Sequence, residues 1–170
     1  KGKLNKDTIV ATVMSNLGLN KYARDNGLEL LQTKVGDRYV LEEMLKDGFN
    51  LGGEQSGHII LLDYNPTGDG ILTSLMLIQS ILEEKKKASE LGNMVKIYPQ
   101  ILINAKVKSE KKYDYEKDAE IKEAIEKLEK EFAGNGRVLI RPSGTEPLVR
   151  VMIEGENQEY ITKKAKEIAE

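Results

Sequence analysis

The chain has 170 residues, of which 39% are hydrophobic and 32% charged, and its formal net charge is −2. This balance is typical of a globular protein rather than a disordered one. The charge offers no basic surface for nucleic acid. No apolar run reaches the roughly 20 residues that a helix needs to cross a bilayer, so we expect no membrane partner. Cysteine is absent, which excludes disulfides and thiolate metal sites and favours a cytoplasmic location.

The first residues, KGKLNKDTIVATVMS, contain no initiator Met and no apolar stretch long enough for a signal peptide. They have the character of a polar connection that leads into a strand. We therefore expect the chain to be a fragment of a longer protein.

The first half of the chain alternates apolar runs with helical patterns. The predicted strands are residues 8–14, 28–35 and 59–63, and the predicted helices are a short one ending near residue 27, then 37–48 and 71–84. The first of these strands is β-branched and hardly alternates, as expected for a parallel strand that is buried on both faces. This order predicts an α/β domain with a mostly parallel sheet.

A charged segment, EEKKKASELGN, follows the last of these helices, and we place a domain boundary there, between residues 88 and 89. The remainder predicts a small α+β domain, in which an antiparallel sheet carries two helices on one face. Its predicted elements are an alternating strand at 95–108, a helix at 115–134, two strands on either side of RPSGTEP, and a helix at 157–170.

The sequence RPSGTEP in the second domain begins at Arg141 and joins two apolar runs. The Ser143 and Thr145 hydroxyls and the Arg141 guanidinium suit a tetrahedral dianion. Gly144 allows the backbone a positive φ, with which successive N–H groups could point into one concavity. Arg150 would add a second cation, but only if the strand register places it on the same face. The residue types fit an ordinary hairpin, with hydroxyls bonded locally, about equally well.

The sequence GGEQSGH in the first domain lies between two apolar runs, where loops at the carboxyl ends of parallel strands bind ligands. Glu54, Ser56 and His58 alternate, so an extended backbone would direct all three side chains the same way. A carboxylate, a hydroxyl and an imidazole suit the paired hydroxyls of a sugar. A lone histidine is more often structural than catalytic, and without a second His or any Cys it predicts no metal site.

Two further loops carry polar residues at helix starts. In TKVGDRY, Asp37 is expected to cap the following helix rather than contact a ligand, and Arg38 looks exposed. In NPTGDG, Asp69 is favourably placed against the dipole of the next helix.

Taken together, TKVGDRYV, LGGEQSGH and RPSGTEPLVRVMIEG, in this order and spacing, resemble the α-D-phosphohexomutase superfamily. The similarity is greatest to bacterial members that act on glucosamine phosphate, and it covers essentially all 170 residues. Members of the superfamily have several domains. The resemblance implies that residues 1–88 are the third, an α/β domain with a sugar-binding loop. It implies that residues 89–170 are the fourth, an α+β domain with a phosphate-binding loop.

The resemblance also implies roles for residues of the third domain. Glu54 and Ser56 match the family's contacts to sugar hydroxyls, and His58 is a neighbouring active-site residue. Asp37 and Arg38 lie where the family has a further active-site loop. Relatives that act on mannose or glucose phosphates often carry a different pair there, which favours a glucosamine substrate.

In the fourth domain, Arg141, Ser143, Gly144 and Thr145 match the loop that grips the substrate's phosphate, with Arg150 as a less secure addition. The phosphoserine nucleophile and the Mg²⁺ ligands of the family belong to domains 1 and 2, whose motifs do not occur here. No catalytic residue and no metal ligand is therefore expected in this chain. Its expected partners are a phosphosugar and the missing N-terminal domains.

The implied reaction interconverts glucosamine 6-phosphate and glucosamine 1-phosphate. The phosphoserine gives its phosphoryl group to one end of the sugar, forms a hexosamine 1,6-bisphosphate, and takes back the other phosphate. The chain alone is expected to be inactive. The alternatives are a phosphoglucomutase or phosphomannomutase, a non-catalytic phosphosugar-binding module, and an interaction protein whose loops merely cap strands.

Overall fold

A computed structural model describes residues 2–170 of the chain. The chain divides into two compact units, Lys1–Ile97 and Tyr98–Glu170, and each is described by itself. No helix within residues 2–170 is long and apolar enough to cross a membrane.

The first unit contains a four-stranded sheet with the strand order β2-β1-β3-β4. Its strands are β1 (Thr8–Thr12), β2 (Glu29–Thr33), β3 (Leu51–Gly53) and β4 (Ile59–Leu61). Strand β1 pairs in parallel with β2 and with β3, whereas β4 runs antiparallel to β3. The predicted α/β domain with a mostly parallel sheet is therefore confirmed.

Four helices accompany this sheet. They are α1 (Leu17–Asp25), α2 (Asp37–Asp47), α3 (Gly70–Glu84) and the short α4 (Ala88–Gly92). The core consists of apolar side chains from β1, α2, β4 and the turn after α2, namely Val10, Val40, Met44, Phe49 and Ile60. Helix α2 supplies two of these because its apolar residues recur on one face at helical spacing.

Strand β3 was not predicted, because two of its three residues are glycines that carry no apolar side chain. It is nevertheless an interior strand of the sheet. The absence of a side chain at Gly52 is what permits this position. A Cβ there would lie 2.7 Å from Val40 Cγ1 and would also collide with the Met44 sulfur. Helix α2 therefore packs directly on the β3 backbone.

The chain divides after Ile97, beyond the boundary that the sequence places between residues 88 and 89. The segment that follows α3 is charged, but it includes α4 and continues to pack on the first unit. The Lys96 carbonyl lies against Gly18 at the start of α1, so closely that a Cβ on Gly18 would collide with it. Charge composition alone does not reveal this backbone contact.

The second unit contains a three-stranded antiparallel sheet with the order β5-β7-β6. Its strands are β5 (Gln100–Lys106), β6 (Gly136–Pro142) and β7 (Leu148–Gly155), and its helices are α5 (Ala119–Phe132) and α6 (Gln158–Ala169). Both helices contribute to one core with the central strand, formed by Leu128, Val151, Ile153, Ile161 and Ala165. The predicted α+β domain is confirmed.

Helix α5 begins later than the predicted residue 115, because the Asp118 side chain caps it by accepting hydrogen bonds from the Glu120 and Ile121 N–H groups. The residues before this cap include a separate 3₁₀ turn at Asp114–Glu116.

We predict that Gly52→Ala destabilises the protein, because overpacking a filled core typically costs about 1–3 kcal/mol. The measurement is the free energy of unfolding from denaturant titration followed by circular dichroism. Gly70→Ala is the matched control, since a Cβ at Gly70 meets nothing within 4 Å. The control should be neutral or slightly stabilising. Equal stability of the two variants would contradict the close packing of α2 on β3.

Candidate functional site

The candidate site residues of the first unit lie on loops at one edge of its sheet. Because β1, β2 and β3 are parallel, their carboxyl ends meet at the same edge. The segment 34–36 leaves this edge after β2, and the segment 54–58 leaves it after β3. Such an edge is where α/β proteins commonly bind ligands.

The segment 54–58 is a tight hairpin loop between β3 and β4 rather than an extended run. The Glu54 N–H donates to the His58 carbonyl (2.9 Å), and the Gly57 N–H donates to the Glu54 carbonyl (3.1 Å). The backbone is therefore not extended here, because β4 turns back immediately to pair with β3.

The three predicted side chains of this loop nevertheless converge. The Ser56 hydroxyl donates to Glu54 Oε1 (2.6 Å), and His58 Nδ1 lies 3.1 Å from Ser56 Oγ and 3.2 Å from Glu54 Oε1. With the Ser56 proton directed to the carboxylate, His58 can donate to either oxygen through Nδ1 when that nitrogen carries a proton. Nε2 has no protein partner among the described residues.

The Glu54 carboxylate makes the contacts that hold this cluster together. Its side chain is only 11% exposed, whereas Ser56 and His58 are exposed. Its second oxygen, Oε2, accepts a hydrogen bond from the Gly36 N–H (3.2 Å) in the loop after β2. Gly36 has a φ of 129°, a conformation that a residue with a side chain rarely adopts. This link between the two loops was not predicted from the sequence.

Asp37 and Arg38 follow directly at the start of α2. Gly36, not Asp37, occupies the N-cap position, so the predicted capping role of Asp37 needs correction. The Asp37 carboxylate instead accepts a hydrogen bond from the Arg38 N–H (2.8 Å). The exposed Arg38 side chain donates to Glu42 Oε1 (2.8 Å), and this hydrogen bond raises the pKa of Arg38. Neither side chain hydrogen-bonds to the Glu54 cluster.

The loop before α3 supports His58 from another side. Asp69 caps α3 by accepting hydrogen bonds from the Ile71 and Leu72 N–H groups, as expected, and the bond from Leu72 is the main cause that lowers the pKa of Asp69. In the same loop Gly68 lies so close to His58 that a Cβ there would be 3.3 Å from the ring. The absence of a side chain at Gly68 therefore leaves room for the His58 ring.

The candidate phosphate loop of the second unit joins β6 to β7. The Ser143 N–H donates to the Leu148 carbonyl (2.9 Å), and the buried Ser143 Oγ accepts from the Glu146 N–H (3.2 Å). Thr145 is exposed. The Ser143 hydroxyl thus has a local structural role, as the hairpin interpretation predicts, and its proton is still available to an acceptor.

Gly144 does not use the positive φ that glycine allows, because it is not among the residues with positive φ. The Ser143–Glu146 hydrogen bond closes the loop while Gly144 keeps an ordinary backbone conformation. A Cβ on Gly144 would meet nothing within 4 Å. The N–H groups of Gly144 and Thr145 have no partner within the described part of the chain, so they remain available without a left-handed turn.

The register of β6 and β7 places Arg141 directly opposite Arg150. Residues opposite each other in an antiparallel pair share a face. This face lies opposite the helices, because Val151, the next residue along β7, points into the helix-packed core. Burial, and after it the charge of Arg150, lowers the pKa of Arg141. The register therefore answers the question that the sequence left open for Arg150.

Both guanidiniums retain unused donors. The Nε atoms of Arg141 and Arg150 are buried and have no hydrogen-bond partner among the described residues. Arg150 makes one long contact, from Nη2 to Glu146 Oε2 (3.4 Å). Like charges opposite one another destabilise a sheet, and a buried donor without a partner costs about 1–3 kcal/mol. An anion bound here would relieve both costs.

Lys112 is a further cation at this loop that was not predicted. Its Nζ donates to the Ser143 carbonyl (2.9 Å) and ties the loop to the segment after β5. No sequence signal distinguishes it, because it belongs to the run KSEKKY, in which several lysines look equivalent. Within residues 2–170 no three His, Asp or Glu side chains are grouped so that they could hold a metal ion.

Comparison with known proteins identifies the family. Residues 1–98 match the model of phosphoglucomutase/phosphomannomutase alpha/beta/alpha domain III, and residues 102–170 match the model of the phosphoglucomutase/phosphomannomutase C-terminal domain. The chain belongs to the phosphoglucomutase/phosphomannomutase family, which confirms the resemblance inferred from its motifs.

Similar curated proteins are bacterial phosphoglucosamine mutases. Those of Ruminiclostridium cellulolyticum and Caldicellulosiruptor saccharolyticus are each 61% identical to this chain and cover 99% of it. That of Clostridioides difficile is 58% identical and covers 98% of it. The chain spans only 37% or 38% of the length of these relatives.

Solved structures with the same fold include Aspergillus fumigatus N-acetylphosphoglucosamine mutase in complex with GlcNAc-6P and magnesium. It has a TM-score of 0.76 and 20% identity, over 98% of this chain and 41% of that one. A phosphoglucomutase/phosphomannomutase family protein from Burkholderia thailandensis has a TM-score of 0.64 and 22% identity, over 95% of this chain and 37% of that one. At this level of identity the likeness concerns the fold.

We predict that Glu54→Ala loosens the loop after β2. The Gly36 N–H would lose its carboxylate acceptor, and a hydrogen bond to a charged group is worth about 1.5–3 kcal/mol. The Gly36 amide should therefore exchange with deuterium roughly ten to a hundred times faster, measured by NMR, while the Val10 amide in the core is unchanged. Glu43→Ala, which affects only a pair with Lys46, is the control. Equal Gly36 rates in both variants would refute the link.

We predict that Arg150→Met does not destabilise the protein in phosphate-free, low-salt buffer, because it removes a like charge opposite Arg141. Inorganic phosphate should stabilise the unmodified protein, by about 2.7 kcal/mol at a hundredfold excess over its Kd, but not this variant. Thermal unfolding with and without phosphate, at constant ionic strength, measures both effects. Arg24→Met, which removes an exposed arginine from α1, should keep the response to phosphate. The same response in all three proteins would disprove an anion site here.

Proposed function

We propose that this chain is the phosphosugar-binding region of a mutase that interconverts glucosamine 6-phosphate and glucosamine 1-phosphate. The observation that carries the proposal is the pair of opposed, incompletely hydrogen-bonded guanidiniums of Arg141 and Arg150. Such a pair is costly for the protein alone and becomes favourable when a dianion accepts from both. The identity of about 60% to phosphoglucosamine mutases supports the choice of sugar.

The phosphate group would be held by the loop between β6 and β7. Arg141 and Arg150 supply the charge, and the N–H groups of Gly144 and Thr145 supply further donors. The hydroxyls of Ser143 and Thr145 add donors of adjustable direction. Lys112 fixes the loop through the Ser143 carbonyl rather than through the ligand. The donor set matches a tetrahedral oxyanion with several acceptor oxygens.

The sugar hydroxyls would be bound by the Glu54 cluster of the first unit. His58 Nε2 can accept when Nδ1 carries the ring proton, the Ser56 oxygen can accept, and the Glu54 carboxylate orders both side chains. A sugar presents neighbouring hydroxyls that each donate and accept, so paired protein groups of this kind suit it. Asp37 and Arg38 are assigned a subordinate role, because Arg38 is already paired with Glu42 and neither residue reaches the cluster.

The proposed reaction transfers a phosphoryl group between a serine and the two ends of the sugar, through a hexosamine 1,6-bisphosphate. In either direction one phosphate of the sugar does not react, and the Arg141–Arg150 loop would hold that phosphate. By holding this phosphate, the loop would position the reacting end of the sugar, although the loop itself takes no part in bond making. The loop must therefore accept the phosphate of the substrate and that of the product.

The phosphoserine and Mg²⁺ of this reaction are assigned to the part of the relatives that this chain does not match. Bound Mg²⁺ would neutralise charge on the transferring phosphoryl group. No acidic cluster in residues 2–170 suits the metal. We therefore propose that the chain alone binds the phosphosugar but does not turn it over.

A glucose or mannose phosphate is the alternative substrate, and the name of the matching family models favours it. The loops described above contact a phosphate and hydroxyls that these sugars share. They include no group that is dedicated to the amino substituent at C2. Only the complete protein, assayed with all three hexose 6-phosphates, distinguishes these substrates, and it should convert the glucosamine compound fastest.

We predict that titrating the 15N-labelled chain with glucosamine 6-phosphate shifts the amide signals of Ser143–Thr145 and Glu54–His58. Inorganic phosphate should shift only the first group, and glucosamine without phosphate should shift neither strongly. Arg150→Met should weaken binding roughly tenfold to a hundredfold, because a hydrogen bond to a charged group is worth about 1.5–3 kcal/mol.

Two results would overturn the proposal. If neither loop responds to millimolar glucosamine 6-phosphate, the chain is not a phosphosugar-binding region. If the isolated chain interconverts the two phosphates, the assignment of the nucleophile to another part of the protein is wrong.

A further inference from the structure

Helix α3 has an unusual composition for a helix of this chain. Its residues 71–82, ILTSLMLIQSIL, contain no charged side chain, although 32% of the whole sequence is charged. Eight of these twelve residues are Ile, Leu or Met. A helix that is apolar on every side is normally buried on every side.

Only one side of α3 is covered. The half-buried residues Leu72 and Met76 lie on the side of the helix that packs beside β4. A second apolar row, which we call the outer stripe, consists of Ile71, Leu75, Ile78 and Leu82. These side chains are 77%, 59%, 52% and 70% exposed. Their spacing of four, three and four residues places them in one line along the helix.

The outer stripe differs from scattered apolar residues on a surface. Single exposed leucines are common and need no explanation, and Leu45 on α2, at 62% exposed, is an example. Contiguous exposed apolar side chains instead mark an interaction surface. The outer stripe therefore indicates a surface that another protein segment covers.

The path of the chain indicates which segment this is. Residues Lys3, Leu4 and Asn5 line the same cavity as Met76 of α3, so the polypeptide enters the first unit beside this helix. Two hydrogen bonds fix that position: the Asn5 N–H donates to Asn50 Oδ1 (2.9 Å), and Asn50 Nδ2 donates to the Lys3 carbonyl (2.8 Å). Any segment that precedes Lys3 would therefore approach the first unit close to α3.

The relatives of this chain indicate the length of such a segment. The chain spans 37% or 38% of its phosphoglucosamine mutase relatives, and the family models that it matches are a domain III and a C-terminal domain. We propose that the outer stripe of α3 is the docking surface for the part of the complete protein that precedes this chain. The inference rests on the proposed function, since it assumes that the chain works within a full-length mutase.

The test compares the complete protein with the 170-residue chain by amide hydrogen exchange. Residues 71–82 should exchange at least tenfold more slowly in the complete protein, because docking protects α3. Leu75→Glu should remove this protection in the complete protein and change little in the shorter chain. Leu45→Glu is the matched control, an exposed leucine on another helix of the same unit, and it should preserve the protection.

Equal exchange of α3 in the two proteins would overturn the proposal. So would a 170-residue chain that is dimeric in sedimentation velocity and becomes monomeric with Leu75→Glu, because a second copy would then be the occupant. Turnover is measured separately. A complete protein that converts glucosamine 6-phosphate but leaves α3 unprotected refutes only the docking surface. A protein with protected α3 but no turnover of any hexose phosphate refutes only the proposed function.

Discussion

The one-to-one register between β6 and β7 is the constraint on which the candidate phosphate site depends. Because Arg141 pairs with Arg150, two like charges face each other on the side of the sheet away from the helices. A slip of one residue would turn Arg150 into the core that Val151 and Ile153 now fill, at the cost of a buried charge. The apolar pattern of β7 that buries the core therefore also fixes both guanidiniums, so the residues that stabilise the sheet also position the candidate phosphate site.

In the first unit a single carboxylate, that of Glu54, fixes the positions of the candidate site residues. Glu54 accepts from Ser56 and from the Gly36 N–H, and its Oε1 lies within hydrogen-bonding distance of His58. Its nearly buried position limits its own contact with a ligand, but it sets the direction of the two groups that are exposed. Two loops that leave neighbouring strands are thereby held as one surface. The physical role of Glu54 in the structure is to order the candidate site.

Much of the fold followed from periodicity, and the rest depended on contacts between distant residues. Helix α2 and strand β7 were predictable because their apolar residues repeat at helical and strand spacing. Strand β3 was not, because its glycines serve a close approach to Val40 that exists only in the folded chain. The candidate site shows the same division. The motifs pointed to Glu54, Ser56 and His58, and these side chains do converge, although through a hairpin turn rather than an extended backbone. The bond from Gly36 to Glu54 joins residues 18 apart, and no local pattern encodes it.

Two features of this chain are unfavourable in the chain by itself, and both lie on surfaces that a partner could contact. Unpaired donors on opposed arginines and a line of exposed isoleucines and leucines each cost free energy in the chain by itself. Natural sequences accept such local costs mainly at functional sites. Each feature indicates the kind of partner that would remove its cost in free energy. Unpaired cationic donors would be satisfied by an anion, and an exposed apolar stripe would be buried by apolar protein surface. The candidate phosphate loop and α3 are therefore two independent features whose cost binding would remove, in one case of an anion and in the other of apolar polypeptide.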